Sequence, residues 1–179
     1  NTYTFEIITQ DGKALQGGTS HYLGTSFSKA FDIKFVGRDN KQYFAHTASW
    51  GITTRLIGAI VMTHGDDDGL VLPPNISPYE VVVLPIIHDE SKKQMIMDSC
   101  KDTVSKLKEN GIRVHLDSTD QSIPSKAWKW IKRGAPLRIE IGAREIDQGS
   151  HTLFRRDLPH KERIQINDLS KIKEILLDF

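Results

Sequence analysis

The run of apolar residues at positions 81–87 constrains the fold more than any other feature of the sequence. Seven consecutive apolar residues leave a strand no polar face, which is typical of strands buried on both sides of a parallel sheet. Parallel strands need crossover connections, which are usually helices. Helical patterns at residues 90–110 and 123–133 alternate with short apolar runs at residues 112–116 and 137–141. This order predicts a three-layer α/β domain with right-handed crossovers.

The end of the chain continues this domain. Residues 152–155 and 163–166 predict edge strands, so we expect a mixed sheet, and the apolar stripe of residues 169–179 predicts a last helix. Residues 121–179 contain 12 Lys and Arg against 8 Asp and Glu, whereas residues 1–120 contain 12 against 15. The basic end of the chain favours a polyanionic partner there.

The first 75 residues have a different pattern, in which short strands alternate with turns. This pattern predicts an α+β region with an antiparallel sheet. The Asp11-Gly12 pair predicts a hairpin turn, Thr53 predicts the N-cap of a helix, and Trp50-Gly51 is interpreted as a turn. The predicted strands are residues 2–8, 14–24, 32–36, 42–46 and 69–72, and the predicted helices are residues 26–31 and 54–63.

A proline-rich segment separates the two patterns. Three prolines at positions 73–78 remove backbone donors and disfavour helix in the residues before them. We therefore predict one domain at residues 1–75, a linker at 76–80 and a second domain at 81–179.

Composition excludes several classes of protein. The single cysteine, Cys100, rules out an internal disulfide framework and a zinc site made of cysteines. The histidines are scattered, so no metal site is predicted. Because the chain has neither a run of 18 apolar residues nor a signal-peptide pattern, we expect a soluble, cytoplasmic protein without a membrane span.

Two motifs in the first region favour ligand binding, and each has an alternative. The Gly17-Gly18 pair lies beside Gln16 and Thr19-Ser20-His21, which favours close approach of a ligand to the backbone. The alternative is a strand made more flexible by its glycines. Arg55 at a helix start suits a phosphate, or lies on a solvated helix face.

Two further motifs lie elsewhere. Asp66-Asp67-Asp68-Gly69 could hold a divalent cation, but it lacks the spacing of a calcium loop, which favours a solvated turn. Trp128 and Trp130 alternate with basic residues, as stacking on unpaired bases requires. Packing of at least one of these tryptophans in the core is the alternative.

The order and spacing of three motifs resemble the prolyl-tRNA synthetases of the archaeal and eukaryotic type. The motifs are residues 11–21 (DGKALQGGTSH), 49–59 (SWGITTRLIGA) and 64–67 (HGDD). The resemblance covers the whole chain. It implies that residues 1–75 are the C-terminal part of a class II catalytic domain, with its third signature motif, and that residues 81–179 are an anticodon-binding domain.

The resemblance also implies roles for individual residues. Arg55 matches a catalytic arginine that holds ATP, and Gln16 and Thr53 match other ATP contacts. The wall of the proline pocket is matched by Thr19, His21, Ser49, Trp50 and Gly51. For the anticodon, the resemblance places Arg138 and Arg144 at the reading positions, and Trp130 and Glu140 are predicted as further contacts. The family uses ATP with Mg²⁺, acts on proline and tRNA(Pro), and forms homodimers as the full-length enzyme.

Two departures from the family pattern affect these expectations. The first two class II motifs would precede Asn1, so the isolated chain is expected to be inactive without the remainder of the synthetase. Where the family has Trp-Glu, this sequence has Trp130-Ile131. Glu140 or Glu145 is therefore proposed to supply the missing contact with a guanine of the anticodon. A non-catalytic tRNA-binding accessory module is the alternative function.

Overall fold

The structure is a computed structural model that describes residues 1–159 and 161–179. Its contacts divide the chain into two compact units, Asn1–Thr63 and His64–Phe179. This division precedes the predicted boundary at residue 75, and residues 64–75 belong to the second unit. The assignment of all residues 1–75 to one catalytic domain stays a prediction.

The first unit contains a three-stranded antiparallel sheet with its longest strand at the centre. The sheet order is β1-β2-β5, with β1 at Thr2–Ile8, β2 at Ala14–Gly24 and β5 at Thr47–Ile52. The predicted hairpin around Gly12 is confirmed, since Gly12 adopts a φ of 77°. The interpretation of Trp50-Gly51 as a turn is wrong, because both residues lie within β5.

The remaining elements of this part of the chain are short. They are α1 at Ser26–Ala30, a hairpin of β3 at Lys34–Val36 with β4 at Gln42–Phe44, and α2 at Arg55–His64. Thr53 Oγ1 accepts a hydrogen bond from the backbone N–H of Arg55 at 3.3 Å, which supports the predicted helix start.

The second unit is built on a mixed five-stranded sheet in the order β12-β11-β10-β8-β9. Three strands are parallel: β8 at Val81–Ile86, β9 at Val114–Leu116 and β10 at Leu137–Gly142. Two antiparallel strands extend it, β11 at His151–Arg155 and β12 at Ile164–Ile166. A small hairpin of β6 at Gly65–Asp66 and β7 at Gly69–Leu70 precedes the sheet.

Helices cover the sheet on both faces, which confirms the predicted three-layer α/β fold. The helices are α3 at Lys93–Glu109, α4 at Ile123–Lys132, α5 at Ala143–Gln148 and α6 at Ile172–Leu177. Single 3₁₀ turns at Glu90–Lys92 and Leu169–Lys171 lead into α3 and α6. The sequence did not predict the short helix α5.

Alternate residues of the central strands pack into two separate layers. Val81 and Ile139 face α3 and α6, where Cys100 of α3 is also buried, whereas Val82 and Leu84 face α4 and pack on Trp130. Burying each large aliphatic side chain stabilises the fold by about 1.5–3 kcal/mol. The unbroken apolar run of β8 is therefore required by packing on both faces.

The proline segment is anchored within the second unit. Arg113 donates from Nη2 to the carbonyl of Pro74 at 2.6 Å and from Nε to the carbonyl of Ser77 at 3.3 Å. Ser77 is itself buried. These contacts hold the segment next to β9 instead of leaving it a free tether.

Candidate functional site

One face of the first sheet gathers four of the five residues that the resemblance placed around proline. Thr19 is paired across the sheet with Gly51, and His21 with Ser49, so these positions share a face. His21 Nε2 lies 3.1 Å from Thr19 Oγ1, and its Nδ1 lies 2.9 Å from Thr2 Oγ1. This chain of hydrogen bonds orients the imidazole on a polar, open face.

Gln16 and Arg55 meet at the end of the same unit. Arg55 Nη1 donates to Gln16 Oε1 at 3.1 Å, although the two residues are 39 positions apart. Arg55 stands at the first position of α2, where the backbone N–H groups have no partners within the helix. A permanent cation beside these donors suits a phosphate group, and Gln16 fixes the direction of the guanidinium.

Trp50 lies on the opposite face of the sheet from His21 and Ser49. It is paired with Ser20, next to an apolar surface formed with Tyr3, Phe5 and Ile52. This surface borders an open cavity of about 460 Å³, and 77% of Trp50 is exposed. The alternation of strand side chains therefore places Trp50 on the opposite face from His21 and Ser49, while Thr19 and Gly51 also border the cavity beside Trp50.

The glycine pair is explained by packing. A Cβ at Gly17 or Gly18 would collide with the ring of Phe5, and at Gly18 it would lie 2.6 Å from Phe5 Cε1. The ring of Phe5 thus occupies the space above the glycines. In this structure, the pair makes room for an aromatic side chain and not for a ligand.

The acidic loop has a structural role through Asp66. Its carboxylate accepts bonds from the backbone N–H groups of Asp68 and Gly69, each at 3.0 Å, and from the guanidinium of Arg156. The bond from Arg156 is the main cause that lowers the pKa of Asp66 to about 2. Within the described residues no group of three or more His, Cys, Asp or Glu side chains could hold a metal ion.

The second unit contains a larger cavity at the carboxyl ends of its parallel strands. We name it the carboxyl-edge cavity. It measures about 530 Å³ and lies where β8 and β10 end side by side. The helices that follow β8 and β9 cover opposite faces of the sheet, and crevices at such positions bind ligands in open α/β folds. Its lining comprises Ile86, His88, Asp89, Lys92, Ile96, Ile123, Glu140, Gly142, Ala143, Arg144, Glu145, Thr152 and Arg163.

Glu140 is the carboxylate best placed for a ligand in this cavity. Glu145 is already engaged, since it accepts from Gly142 N–H at 3.1 Å and from Thr152 Oγ1 at 3.0 Å. Glu140 accepts one bond on Oε1, from Arg138 Nε at 3.1 Å, and its side chain is partly exposed. Arg144 is exposed on the rim of the same cavity.

Arg138 lies behind this site and outside the cavity lining. Its side chain is buried, and its guanidinium stacks on the ring of Phe154 at 4.3 Å. Burial lowers the pKa of Arg138, while Glu140 opposes that shift. The geometry therefore supports a role for Arg138 in holding Glu140, and not the direct base contact implied by the resemblance.

Trp130 is a core residue. Only 5% of it is exposed, and its indole Nε1 donates to Asp117 Oδ2 at 2.6 Å. The rings of His115 and Tyr79 pack on it. Ile131, the next residue, is buried too and lies outside the lining of the carboxyl-edge cavity. Burial does not support direct anticodon contact by Trp130, and Ile131 does not occupy the place where a ligand would lie.

Sequence reasoning missed several basic residues of the carboxyl-edge cavity. Lys92 comes from the 3₁₀ turn before α3, His88 from the loop after β8, and Arg163 from the residue before β12. Only the position of His88, directly after a buried parallel strand, could have indicated a site from the sequence.

Comparison with known proteins identifies the family of the second unit. Residues 80–174 match the family of anticodon binding domains, and the chain belongs to that family. The similarity to proline–tRNA ligases extends further. It reaches 46% identity with the enzyme of Akkermansia muciniphila, over 90% of this chain and 33% of the relative. Identity with the enzyme of Erythrobacter litoralis is 47%, over 87% of this chain and 31% of the relative. Identity with the enzyme of Salinibacter ruber is 40%, over 99% of this chain and 36% of the relative.

The predicted resemblance to prolyl-tRNA synthetases is thus confirmed. The chain spans about a third of the length of the curated relatives it matches. Among the helices of residues 1–159 and 161–179, none is long and apolar enough to cross a membrane.

Proposed function

We propose that this chain is part of a proline–tRNA ligase. In the proposal, the second unit reads the anticodon of tRNA(Pro), and the first unit supplies part of the site for ATP and proline. The whole protein would form prolyl-adenylate and pyrophosphate from proline and ATP, and then transfer the prolyl group to the terminal ribose of the tRNA. The observation that carries the proposal is the similarity to such ligases over nearly the whole chain, including both units.

The carboxyl-edge cavity is the proposed anticodon site. Proline anticodons share two guanines, whose N1 and N2 donors suit a carboxylate and whose O6 and N7 acceptors suit an arginine. Glu140 offers the carboxylate, held in place by Arg138, and Arg144 offers a cation on the rim. Lys92 and Arg163 add positive charge that phosphates would neutralise.

We propose that the polar face of the first sheet forms the part of the aminoacylation site that this chain contributes. Arg55 would bind ATP phosphates and stabilise the charge that develops during transfer to the proline carboxylate, with Gln16 keeping it in position. Thr53 caps the helix that carries Arg55. Thr19, His21, Ser49 and Gly51 would border the substrate proline. Retention of this set argues against a non-catalytic accessory module.

ATP and Mg²⁺ enter the proposal as substrate and accompanying ion. Mg²⁺ is commonly held by substrate phosphates and only one or two carboxylates. Because the described residues include no group of three or more His, Cys, Asp or Glu side chains that could hold a metal ion, the proposal leaves most of the magnesium ligands to the substrate phosphates. A cytoplasmic location and a homodimer of the whole protein complete the proposal, as the resemblance implies.

The variant E140Q tests the anticodon site. Its amide oxygen can still accept from Arg138, but it loses the charge that pairs with two guanine donors. We expect roughly tenfold weaker binding to a stem-loop with the proline anticodon, and no change for a stem-loop whose two guanines are replaced. E174Q, on the exposed side of α6, is the matched control. Equal binding of E140Q and the parent chain to the proline anticodon would exclude Glu140 as a reader.

A further inference from the structure

Helix α4 has one face in the core and one face in solvent. The core face contains Trp130 and Ile131, which are buried. The solvent face forms a shallow groove of about 650 Å³, here named the α4 groove. Its lining comprises Gln121, Pro124, Ser125, Trp128, Lys129, Lys132 and Arg133. The two tryptophans that the sequence placed together therefore separate, with Trp128 on the open side.

The α4 groove is positively charged. None of the described residues that line it is acidic. Lys129 is neutralised by Asp117 at 2.9 Å. Within the described part of the chain, by contrast, no ion pair joins Lys132 or Arg133 to a carboxylate within 4.0 Å. The guanidinium of Arg133 lies 5.3 Å from the ring of Trp130 and remains open to solvent. Two cations thus face outward without an acidic counterpart.

Trp128 adds an aromatic surface to these charges. The residue is 43% exposed, so a large part of its surface is open to solvent. It stands four positions before Lys132, so the two side chains lie on the same side of the helix. An aromatic face next to unpaired cations is the combination with which proteins bind single-stranded nucleic acid.

The α4 groove continues from the carboxyl-edge cavity. Ile123, the first residue of α4, lines the cavity, and the next residue, Pro124, lines the groove. The ten residues of α4 extend the surface by roughly 15 Å. A strand that enters the cavity with its anticodon bases can therefore leave it along α4.

We propose that the α4 groove binds the RNA strand next to the anticodon, with phosphates at Lys132 and Arg133 and a base or ribose against Trp128. This inference rests on the proposed function, since it takes tRNA as the ligand. Charge complementarity favours RNA, and none of the described residues that line the groove is a carboxylate that could pair with the N1 and N2 donors of guanine. The groove therefore adds affinity without adding discrimination between anticodons.

The test measures binding of the 179-residue chain to two stem-loops across a salt series, one with the proline anticodon and one with its two guanines replaced. Combining Lys132→Ala with Arg133→Ala should weaken the binding of both RNAs alike, by roughly tenfold at low salt. It should also reduce the slope of log K against log salt by about 1.5 to 2. Lys132→Ala alone leaves the Arg133–Trp130 contact intact and should reduce the slope by about 1.

Two further variants complete the test. Trp128→Ala should weaken both RNAs by at least about fivefold, and Trp128→Phe should restore most of the affinity because its ring still stacks. The control pairs Lys101→Ala with Lys108→Ala, exposed lysines on α3 at the opposite face of the sheet, and should leave the slope unchanged.

The results separate this inference from the proposed function. An unchanged slope and affinity in the groove variants would overturn the α4 groove as an RNA surface, and would point to a partner such as an acidic protein. If the parent chain bound the two stem-loops equally, the result would instead contradict the proposed anticodon site. A loss confined to the proline-anticodon stem-loop would also overturn the inference, since the groove would then act through the bases.

Discussion

Asp66 and Arg156 are 90 positions apart in sequence, and both terminal nitrogens of the arginine donate to the carboxylate, Nη1 to Oδ2 at 2.8 Å. Arg156 is buried, and its Nε also donates to the carbonyl of Ile131 at 3.1 Å. One guanidinium therefore fixes both the acidic hairpin and the end of α4. This arrangement explains why the acidic loop belongs to the second unit.

Removing the charge of Asp66 should destabilise the second unit. In D66N, Arg156 stays buried but loses a bidentate anionic partner. We expect the free energy of unfolding to fall by about 1–2 kcal/mol, which is less than for a fully buried ion pair because Asp66 is partly exposed. Urea unfolding followed by circular dichroism measures the change. D67N, in the same exposed turn, is the control and should stay within about 0.5 kcal/mol of the parent.

The stability that Asp66 and Arg156 contribute should depend on pH in the acid range. Because the folded pKa of Asp66 is lowered from 3.8 to about 2, its contribution is complete above the unfolded pKa and is lost as the pH falls through about 2. The stability difference between the parent chain and D66N should thus shrink between about pH 4 and pH 2. A difference that stays constant over this range would show that the charge of Asp66 is not what Arg156 requires.

The buried carboxylate of Asp117 should contribute strongly to the stability of the second unit. Burial alone would raise its pKa, but donors from Thr119, Lys129 and Trp130 outweigh that effect and hold the pKa well below its usual range. D117N would remove the charge of a fully buried carboxylate that pairs with the partly exposed Lys129, so we expect a loss of about 3 kcal/mol in the free energy of unfolding. Thermal and urea unfolding measure it, with the exposed D120N as control.

Glycine 18 provides a test of packing in the first unit. In G18A the new Cβ would meet the Phe5 ring at 2.6 Å and the carbonyl of Gly51 at 3.0 Å. We expect destabilisation by about 1–2 kcal/mol, because the exposed ring can move but the backbone oxygen cannot move freely. G58A in α2, where the added Cβ has no neighbour within 4 Å, should stabilise the helix by about 0.5–1 kcal/mol. Hydrogen exchange in β2 and β5 would locate the effect of G18A, and hydrogen exchange in α2 would locate that of G58A.

Cys100 should be chemically inert in the native protein. It is fully buried in α3, and burial raises the pKa of its thiol to about 12. Thiolate is the reactive form, so a thiol reagent at pH 8 should modify Cys100 only after unfolding. Rapid modification without denaturant would indicate that the layer between α3 and the sheet opens readily.

The sequence predicted the second unit well because its signals are local. The apolar run of β8, the 3.6-residue periodicity of α3 and α4 and the glycines after them each mark an element without reference to distant residues. Strand β5 was missed because Gly51 interrupts a pattern that is short and half polar. Helix α5 was missed because six residues are too few for periodicity to register.

The sites were harder to predict, since they depend on which way a side chain points. Trp128 and Trp130 are two positions apart on a helix and cannot share a face. The sequence analysis allowed for core packing of at least one of them but did not say which. Trp50 was grouped with His21 and Ser49 because the resemblance placed all three in the proline pocket, whereas the alternation of side chains along β5 puts Trp50 on the other face. The contacts of Arg138 with Glu140 and Phe154, and of Arg156 with Asp66, require the folded sheet.

The most direct test of the central claim is fluorescence anisotropy of this chain with tRNA bearing the proline anticodon, compared at one fixed salt concentration with the same tRNA after replacement of both shared guanines. Fixed salt is essential because phosphate contacts alone produce affinity. The proposed function predicts tighter binding of the proline anticodon by roughly tenfold or more, about 1.4 kcal/mol. Equal binding of the two tRNAs would contradict the assignment of the carboxyl-edge cavity as an anticodon reader.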